Sequence, residues 1–351
     1  MAASIFWLHT FRPDGANGPN PSHSVPRKTG APEMLSAIPA PRIDTAPSPS
    51  PWSTTTVPRG YVHRAAVAEV LLTGWESAGG SGTGPQDSFL VRAQWPRGHA
   101  LFAPSGGHQD PMLLIESIRQ AGSLLSHAEY GVPFGHQFLM WDMSFTAEPA
   151  AFTVGPTPTE VELHTMCHDI VRRGRTIAGM RYTVSVLRDG HAVAVGGARF
   201  SCTSPTAHRR LRGERPTATE GALPPAVAPA AVGRTSQKDV LLAAPAQGEP
   251  HWELRIDTDH PIYFDHPVDH IPGMVLIEAG RQAARAATHR PDAILVGMES
   301  TFTRYAELDA PCRMEAEVEG LDSDGHLRVH VTAVQQGTQV FNADLTLRDP
   351  S

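Results

Sequence analysis

The strongest constraint on the fold of this chain is an internal repeat. The segments His108–Ala121 and His270–Ala283 lie 162 residues apart and agree at eight of 14 positions, with Glu, Arg and Gln at identical spacing. The agreement extends upstream, where Glu69–Leu72 matches Asp239–Leu242. The chain is therefore predicted to contain two copies of one structural unit.

Each copy has the same predicted order of elements: a strand, a loop, one long helix and several antiparallel strands. The helices are predicted over about 111–130 and 272–289, each opening at a proline that suits the first helical turn. Turns at Arg188–Gly190 and Asp322–Gly325 separate alternating apolar runs and predict hairpins. The second helix is mostly apolar and rich in small residues, so a curved sheet can wrap around it. We predict an α+β fold, a tandem double hotdog in which two sheet-wrapped helices form an internal pseudo-dimer.

Composition divides the chain into four parts. Residues 1–56 contain ten prolines and are predicted to be a disordered arm. Residues 57–202 form the first repeat and 232–349 the second. Between them, 203–231 is rich in Pro and Ala, carries the basic run His208–Arg212, and is predicted to be a linker.

Several classes of protein are excluded by composition. The net charge of −7 argues against a nucleic-acid binder, and no apolar run is long enough to span a membrane. Cysteine occurs three times, without a CxxC pair, which excludes a cysteine-built zinc site and indicates a reducing cytoplasm. Walker, dinucleotide and Gly-x-Ser-x-Gly motifs are all missing, so we expect no cofactor.

A charged trio marks the second helix. Glu278 and Arg281 lie three residues apart and Gln282 follows, so all three share one face. The first copy repeats the trio as Glu116, Arg119 and Gln120. Such a trio is often a solvated surface ion pair. Here the apolar flanks imply burial, where charges need partners or a function, so a functional role is favoured, more strongly in the second copy.

The start of the second helix suits a thioester carbonyl. Pro272 and Gly273 open it, and its free N–H groups can stabilise the negative charge that develops during acyl transfer. The first copy has Asp110 and Pro111 there, and an acidic side chain would oppose an oxyanion. We therefore expect the working site in the second copy.

The loop before this helix carries His266, Asp269 and His270. These residues either cap the helix and fix the loop, or one histidine polarises a carbonyl or moves a proton. Because Pro267 and Pro272 make the segment irregular, a helical histidine pair does not apply and no metal is expected. In the first copy the matching cluster is His99, Ser105 and His108.

The helix start Pro272–Ala279 resembles that of hotdog hydroxyacyl-carrier-protein dehydratases, in which the Glu works with a His from the preceding loop. The duplicated form, with Glu-x-x-Arg-Gln-Ala in both copies and Asp-His-Pro-x-Asp-His-x-Pro-Gly-Met in the second, resembles the A-factor biosynthesis (AfsA) hotdog family. Further matches are Val62–Arg64 and Val232–Arg234. The resemblance covers about 57–349.

The resemblance implies an acyltransferase. A β-ketoacyl group would pass from an acyl-carrier-protein or CoA thioester to the hydroxyl of dihydroxyacetone phosphate, in biosynthesis of γ-butyrolactone-type or related furan signalling molecules. The implied functional residues are Glu116, Glu278 and Arg281, followed by Arg119. Glu278 would be the base, and Arg281, with Arg119 as the second candidate, would bind the phosphate. With Gly273, His266, His270 and Gln282 they complete the candidate site.

Two other hypotheses stay open. A dehydratase or thioesterase on the same fold would depend on a loop histidine and have no need of Arg281. An inert module would bind acyl thioesters or carrier proteins without turnover. The chain is expected to be a monomer with an internal pseudo-dimer or a homodimer.

Overall fold

The computed structural model describes residues 55–79, 87–219, 221–245 and 251–350. The predicted arm falls almost wholly on residues 1–54, outside the described residues.

The described residues form one antiparallel sheet of 11 strands. In chain order the strands are β1 (Leu72–Ser77), β2 (Ser88–Trp95), β3 (Gln137–Ala147), β4 (Thr159–Arg173), β5 (Thr176–Arg188), β6 (His191–Thr203), β7 (His251–Glu253), β8 (Ile294–Phe302), β9 (Cys312–Leu321), β10 (Leu327–Gln335) and β11 (Thr338–Arg348). The helices are α1 (Met112–Ala128), α2 (Pro205–Arg212) and α3 (Gly273–Thr288). Across the sheet the order is β1-β2-β4-β5-β6-β3-β8-β11-β10-β9-β7.

The two copies meet where β3 pairs with β8. Met143 lies opposite Ser300, and the buried Ser300 hydroxyl donates to the Met143 carbonyl at 2.7 Å. Strands β6, β5, β4 and β2 follow on one side, and β11, β10, β9 and β7 on the other. This mirrored order is a pseudo-twofold arrangement, and the double hotdog prediction is confirmed.

Each half of the sheet wraps one long helix that is buried over most of its surface. The small residues allow close contact: a Cβ at Gly122 would lie 2.7 Å from the Tyr182 ring, and one at Gly280 would lie 3.0 Å from Val331. Interiors packed at this density leave no room for an added methyl group. Both predicted helices are confirmed, with ends shifted by at most two residues.

The predicted hairpins are also confirmed. Strands β5 and β6 join through Asp189 and Gly190, with φ of 51° and 77°. Two successive positive φ angles twist a two-residue turn to match its strands, and Asp-Gly accepts that conformation. In the second copy, Asp322–Gly325 precedes His326 between β9 and β10.

The linker region contains α2, which the linker prediction did not include. Ser204 caps this helix by accepting from the Ala207 N–H at 3.3 Å, and Pro205 occupies its first turn. Basic residues in its last turn complement the helix dipole. Arg212 then anchors the helix to the second copy through Glu307, at 2.6 Å, and Asp269.

Cys167, Cys202 and Cys312 are buried free thiols. None of the helices in the described ranges is long and apolar enough to cross a membrane.

Candidate active site

A cavity of about 240 Å³ lies between the two copies. One wall is the α1 face that carries Glu116, Arg119 and Ser123. The opposite wall is the loop around His266 and His270 together with the start of α3. Each copy therefore supplies a different half of one cavity, as expected of paired hotdog units.

The first-copy cluster lines this cavity through Arg64, Glu116 and Arg119. It consists of Glu116, Arg119, Arg64 and Gln120. Arg119 donates to both Glu116 oxygens, at 2.8 and 2.7 Å, and Arg64 Nε donates to Oε1 at 2.9 Å. Gln120 adds a bond of 2.7 Å to Oε1. Burial alone would raise the pKa of Glu116, but the charges of Arg119 and Arg64 outweigh it and lower the pKa to about 2.

The second-copy cluster repeats this geometry but is sealed, meaning that none of its residues lines the cavity. It consists of Glu278, Arg281, Arg234 and Gln282, with Asp110 from the first copy. Arg281 Nε donates to Glu278 at 2.8 Å, and Arg234 Nε donates to it at 3.1 Å. The remaining two nitrogens of Arg281 bind Asp110 in a fork of 2.6 and 3.0 Å. The Glu278 and Arg281 side chains are both 0% exposed, and neither lines the cavity.

The two clusters differ in charge and in free donors. The first has one carboxylate against two guanidiniums, a net charge of +1, whereas Asp110 brings the second to zero. All guanidinium nitrogens of Arg234 and Arg281 have acceptors. The Nη1 groups of Arg64 and Arg119 have none among the described residues. Of the two clusters, only the first therefore keeps guanidinium donors without an acceptor among the described residues.

The placement of Glu278 and Arg281 corrects the expected geometry. We expected both to share a pocket with Gly273, but the structure brings Gly273 to the cavity and leaves the other two behind the Asp110 ion pair. From the sequence alone, Asp110 is expected only to oppose the binding of an oxyanion. Its partner lies across the pseudo-dimer, and spacing within one copy does not reveal such a pair.

Gln282 also lies outside the cavity lining. Its amide accepts from the Leu241 N–H at 2.8 Å and donates to the Asp239 carbonyl at 3.0 Å. It therefore ties α3 to the segment before it. Gln120 makes the equivalent bonds to Leu71 and Glu69 in the first copy.

The start of α3 presents unbonded backbone donors to the cavity. No side chain caps this helix, and its first intrahelical bonds are those from Val275 and Leu276 to the Pro272 carbonyl. The N–H groups of Gly273 and Met274 precede them. A Cβ at Gly273 would lie 3.1 Å from Phe302, so a side chain has little room. In α1, by contrast, Asp110 accepts from the Met112 N–H at 2.9 Å.

The loop histidines occupy different settings. His270 Nδ1 lies 2.7 Å from Asp269, which also bonds to His208 of α2 at 2.8 Å. The hydrogen bond with His270, followed by that with His208, lowers the pKa of Asp269 despite its burial. Ionised Asp269 accepts, so His270 carries its proton on Nδ1. His266 is more exposed and lies 3.4 Å from Asp265.

The residues of the first copy predicted to match these histidines, His99, Ser105 and His108, do not form a site of the same kind. His99 accepts from the Leu101 and Phe102 N–H groups at 3.1 and 3.0 Å, fixing its own loop. Within the described ranges, the residues close enough together to hold a cation are Asp322, Asp324 and His326, in a surface turn. Asp322 bonds there to the backbone of the other two.

Sequence reasoning missed the ionic roles of Arg64 and Arg234. The segments Val62–Arg64 and Val232–Arg234 support the family resemblance, but their sequence does not indicate an ionic role. The structure gives each arginine the same partner, the helix glutamate of its own copy.

A sequence model of the A-factor biosynthesis hotdog domain matches residues 45–204 and 217–349. The chain belongs to this family. A family member from Streptomyces virginiae, 2-oxo-3-(phosphooxy)propyl 3-oxoalkanoate synthase, is 50% identical over 290 residues, covering 82% of this chain and 96% of the relative. A protein of the same name from Streptomyces coelicolor is 39% identical and covers 83% and 91%.

An acyl-ACP thioesterase from Bacteroides thetaiotaomicron aligns with a TM-score of 0.45 at 11% identity, covering 74% of this chain and 98% of that one.

Proposed function

We propose that this chain is an acyltransferase that moves a β-ketoacyl group from an acyl-carrier-protein or CoA thioester to the hydroxyl of dihydroxyacetone phosphate. The relatives' name describes the matching product, a 3-oxoalkanoate ester of a 2-oxo-3-(phosphooxy)propyl group. The observation that carries the proposal is the cationic first-copy cluster, which faces the uncapped start of α3 across one cavity.

The first-copy cluster is suited to the acceptor phosphate. Arg64 and Arg119 are held in place by Glu116 while each keeps one free Nη group, and the exposed Arg304 lines the same cavity. Guanidinium groups bind phosphate through charge-assisted hydrogen bonds, each worth about 1.5–3 kcal/mol. Glu116 accordingly orients the two arginines, because both of its oxygens already accept hydrogen bonds from them.

The start of α3 is suited to the donor thioester. As the acceptor oxygen attacks, negative charge develops on the carbonyl oxygen, and the N–H groups of Gly273 and Met274 can bind it. An apolar part of the cavity can take the acyl chain; among its residues are Phe138, Leu139, Met140, Phe200, Val268 and Phe302. The substrates would meet between the copies, with the phosphate on one and the thioester on the other.

The unpaired, buried cysteines favour a reducing compartment, and we infer the cytoplasm. The continuous β3–β8 pairing lets one chain complete the site, so we infer that a monomer with its internal pseudo-dimer suffices.

The test is an assay of the full chain with a β-ketoacyl thioester and dihydroxyacetone phosphate, followed by mass spectrometry. We expect a phosphorylated ester and stoichiometric thiol release. Dihydroxyacetone without phosphate, the matched control, should react at least tenfold more slowly at equal concentration. Thiol release without ester would indicate a thioesterase, and dehydration of a β-hydroxyacyl thioester would indicate a dehydratase. Binding without any turnover would leave an inert module.

A further inference from the structure

His63 occupies an unusual backbone position beside the first-copy cluster. Its φ of 53° and ψ of 49° are left-handed, a conformation that is costly for any residue except glycine. The equivalent position in the second copy is Gly233, with φ of 67°. The first copy thus keeps a histidine where the repeat uses glycine, and its ring lines the cavity.

A chain of two hydrogen bonds determines which ring nitrogens carry protons. His127 Nδ1 lies 2.6 Å from the Val132 carbonyl, which can only accept, so this nitrogen carries hydrogen. His127 Nε2 is then the acceptor of a neutral ring. It lies 2.7 Å from His63 Nε2, so His63 donates. The lone pair of His63 is therefore on Nδ1, which has no partner among the described residues.

Packing holds both rings in place. His63 and His127 meet edge to face, with ring centroids 4.9 Å apart, and Phe138 packs against both, at 4.6 and 5.4 Å. Tyr61 and Phe134 flank His127. The ring of His63, which lines the cavity, is thus held in a fixed orientation, and Nδ1 is its nitrogen without a partner among the described residues.

In the second copy, the guanidinium of Arg285 occupies the space that corresponds to the His63 ring. Arg285 donates to the Ala293 carbonyl at 3.1 and 2.8 Å, and a Cβ at Gly233 would lie 2.5 Å from its guanidinium. The residue of the first copy that aligns with Arg285 is Ser123, which lines the cavity. At this position of the repeat, the first copy has an open space and a histidine ring, and the second copy has Gly233 and the Arg285 guanidinium.

We propose that His63 is the catalytic base of the transfer and that His127 is its positioning residue. This inference rests on the proposed acyltransferase function. His63 Nδ1 takes the proton from the acceptor hydroxyl as that oxygen bonds to the thioester carbonyl carbon. The C–S bond then breaks, and the same proton passes from His63 to the departing thiolate, so that ester and thiol leave and His63 returns to its neutral state.

The charges around His63 couple this base to the acceptor. Burial, followed by repulsion from Arg119, lowers the pKa of His63 to about 3, and His127, His266 and Arg64 add to the effect. A phosphate dianion on Arg119 and Arg64 offsets their positive charge, so the pKa of His63 rises when the acceptor is bound. The base is then strongest only when an acceptor is present, which protects the thioester from hydrolysis.

The protonation pattern is tested directly by ¹⁵N NMR of the histidine-labelled full chain, which reports which ring nitrogens carry hydrogen. At pH 7 we expect His63 to carry hydrogen on Nε2 only and His127 on Nδ1 only. His127→Phe keeps an aromatic ring but removes the acceptor, so His63 should then populate both tautomers. A His63 protonated on Nδ1 in the unmodified protein would overturn the inference, whether or not the chain is an acyltransferase.

The base is tested kinetically with His63→Gly, which suits the backbone because glycine already holds this conformation at Gly233. We expect kcat to fall at least 100-fold, with partial recovery on adding imidazole and an acceptor KM within threefold. His330→Gln, on β10 and outside the cavity, is the matched control. If the unmodified chain transfers the acyl group and His63→Gly stays within threefold of it, or loses activity that imidazole does not restore, the base assignment fails. No transfer by the unmodified chain would instead refute the proposed function.

Discussion

The same Glu-Arg-Gln trio has opposite fates in the two copies. Around Glu278, Asp110 completes a neutral network in which the Glu278 and Arg281 side chains are 0% exposed. Around Glu116, Asp265 acts on Arg119 through its charge, but among the described residues no second carboxylate forms an ion pair with Arg64 or Arg119, and the cluster faces a cavity with unused donors. The position of Asp110 in the repeat is taken by Pro272 in the second copy. One acidic residue at a helix start, Asp110, therefore distinguishes a network whose guanidinium nitrogens all have acceptors from one with unused donors.

The copies are therefore complementary halves of one site. The first copy supplies the guanidinium groups, and its own helix start is capped by Asp110. The second copy supplies an uncapped helix start, and its own guanidinium groups are buried away from the cavity. A duplicated fold with two identical sites would need both features in each copy. The geometry favours one working site for each chain.

The largest effect should come from breaking the sealed cluster. In Asp110→Asn, Arg234 and Arg281 stay buried with only Glu278 to balance them. Breaking a buried ion pair from one side typically costs about 3–5 kcal/mol, and we expect a loss of that size in the free energy of unfolding measured with urea. Glu116→Gln in the half-open cluster is the matched comparison and should cost clearly less. Equal losses would contradict the distinction between the clusters.

Exchanging arginine for lysine in each copy should sharpen the comparison. Arg119→Lys keeps the charge but loses the planar fork, so the acceptor KM should rise about tenfold or more, equivalent to about 1.4 kcal/mol. Arg281→Lys should lower stability and leave the acceptor KM within threefold, because Arg281 does not reach the cavity. A larger change in acceptor KM for Arg281→Lys would indicate that the phosphate binds to Arg281 in the second copy instead.

The smallest expected effect is a pH dependence of stability that comes from His63 in the first copy. The pKa of His63 is lowered from 6.5 to about 3 in the folded chain, so the unfolded chain binds the proton more readily. Above about pH 6.5, His63 has no effect on the free energy of unfolding. As the pH drops toward 3, this free energy falls by at most about 1.4 kcal/mol per pH unit. His63→Gly should flatten the stability curve between pH 6.5 and 5. The window lies above the acid titrations of Glu116 and Asp110, whose pKa values are lowered to about 2. Parallel curves for both proteins would show that His63 titrates normally.

Much of the fold was predictable because the repeat, the 3.6-residue periodicity of the helices and the Asp-Gly turns are local signals. The candidate site was predictable only in part. Spacing on α3 shows that Glu278 and Arg281 share a face, but it does not show which face meets the cavity. The Asp110–Arg281 pair joins residues that are 171 positions apart, and their pairing depends on how the copies dock. The tautomer of His63 depends on the carbonyl of Val132, which has no signature in the sequence.

The central claim is that the acceptor phosphate binds to the first copy's arginines. A crystal structure of the full chain soaked with dihydroxyacetone phosphate tests it most directly. We predict the phosphate within hydrogen-bond distance of the Nη1 groups of Arg64 and Arg119, with the Asp110–Arg281 pair intact. A phosphate bound to Arg281 in place of Asp110 would contradict the account.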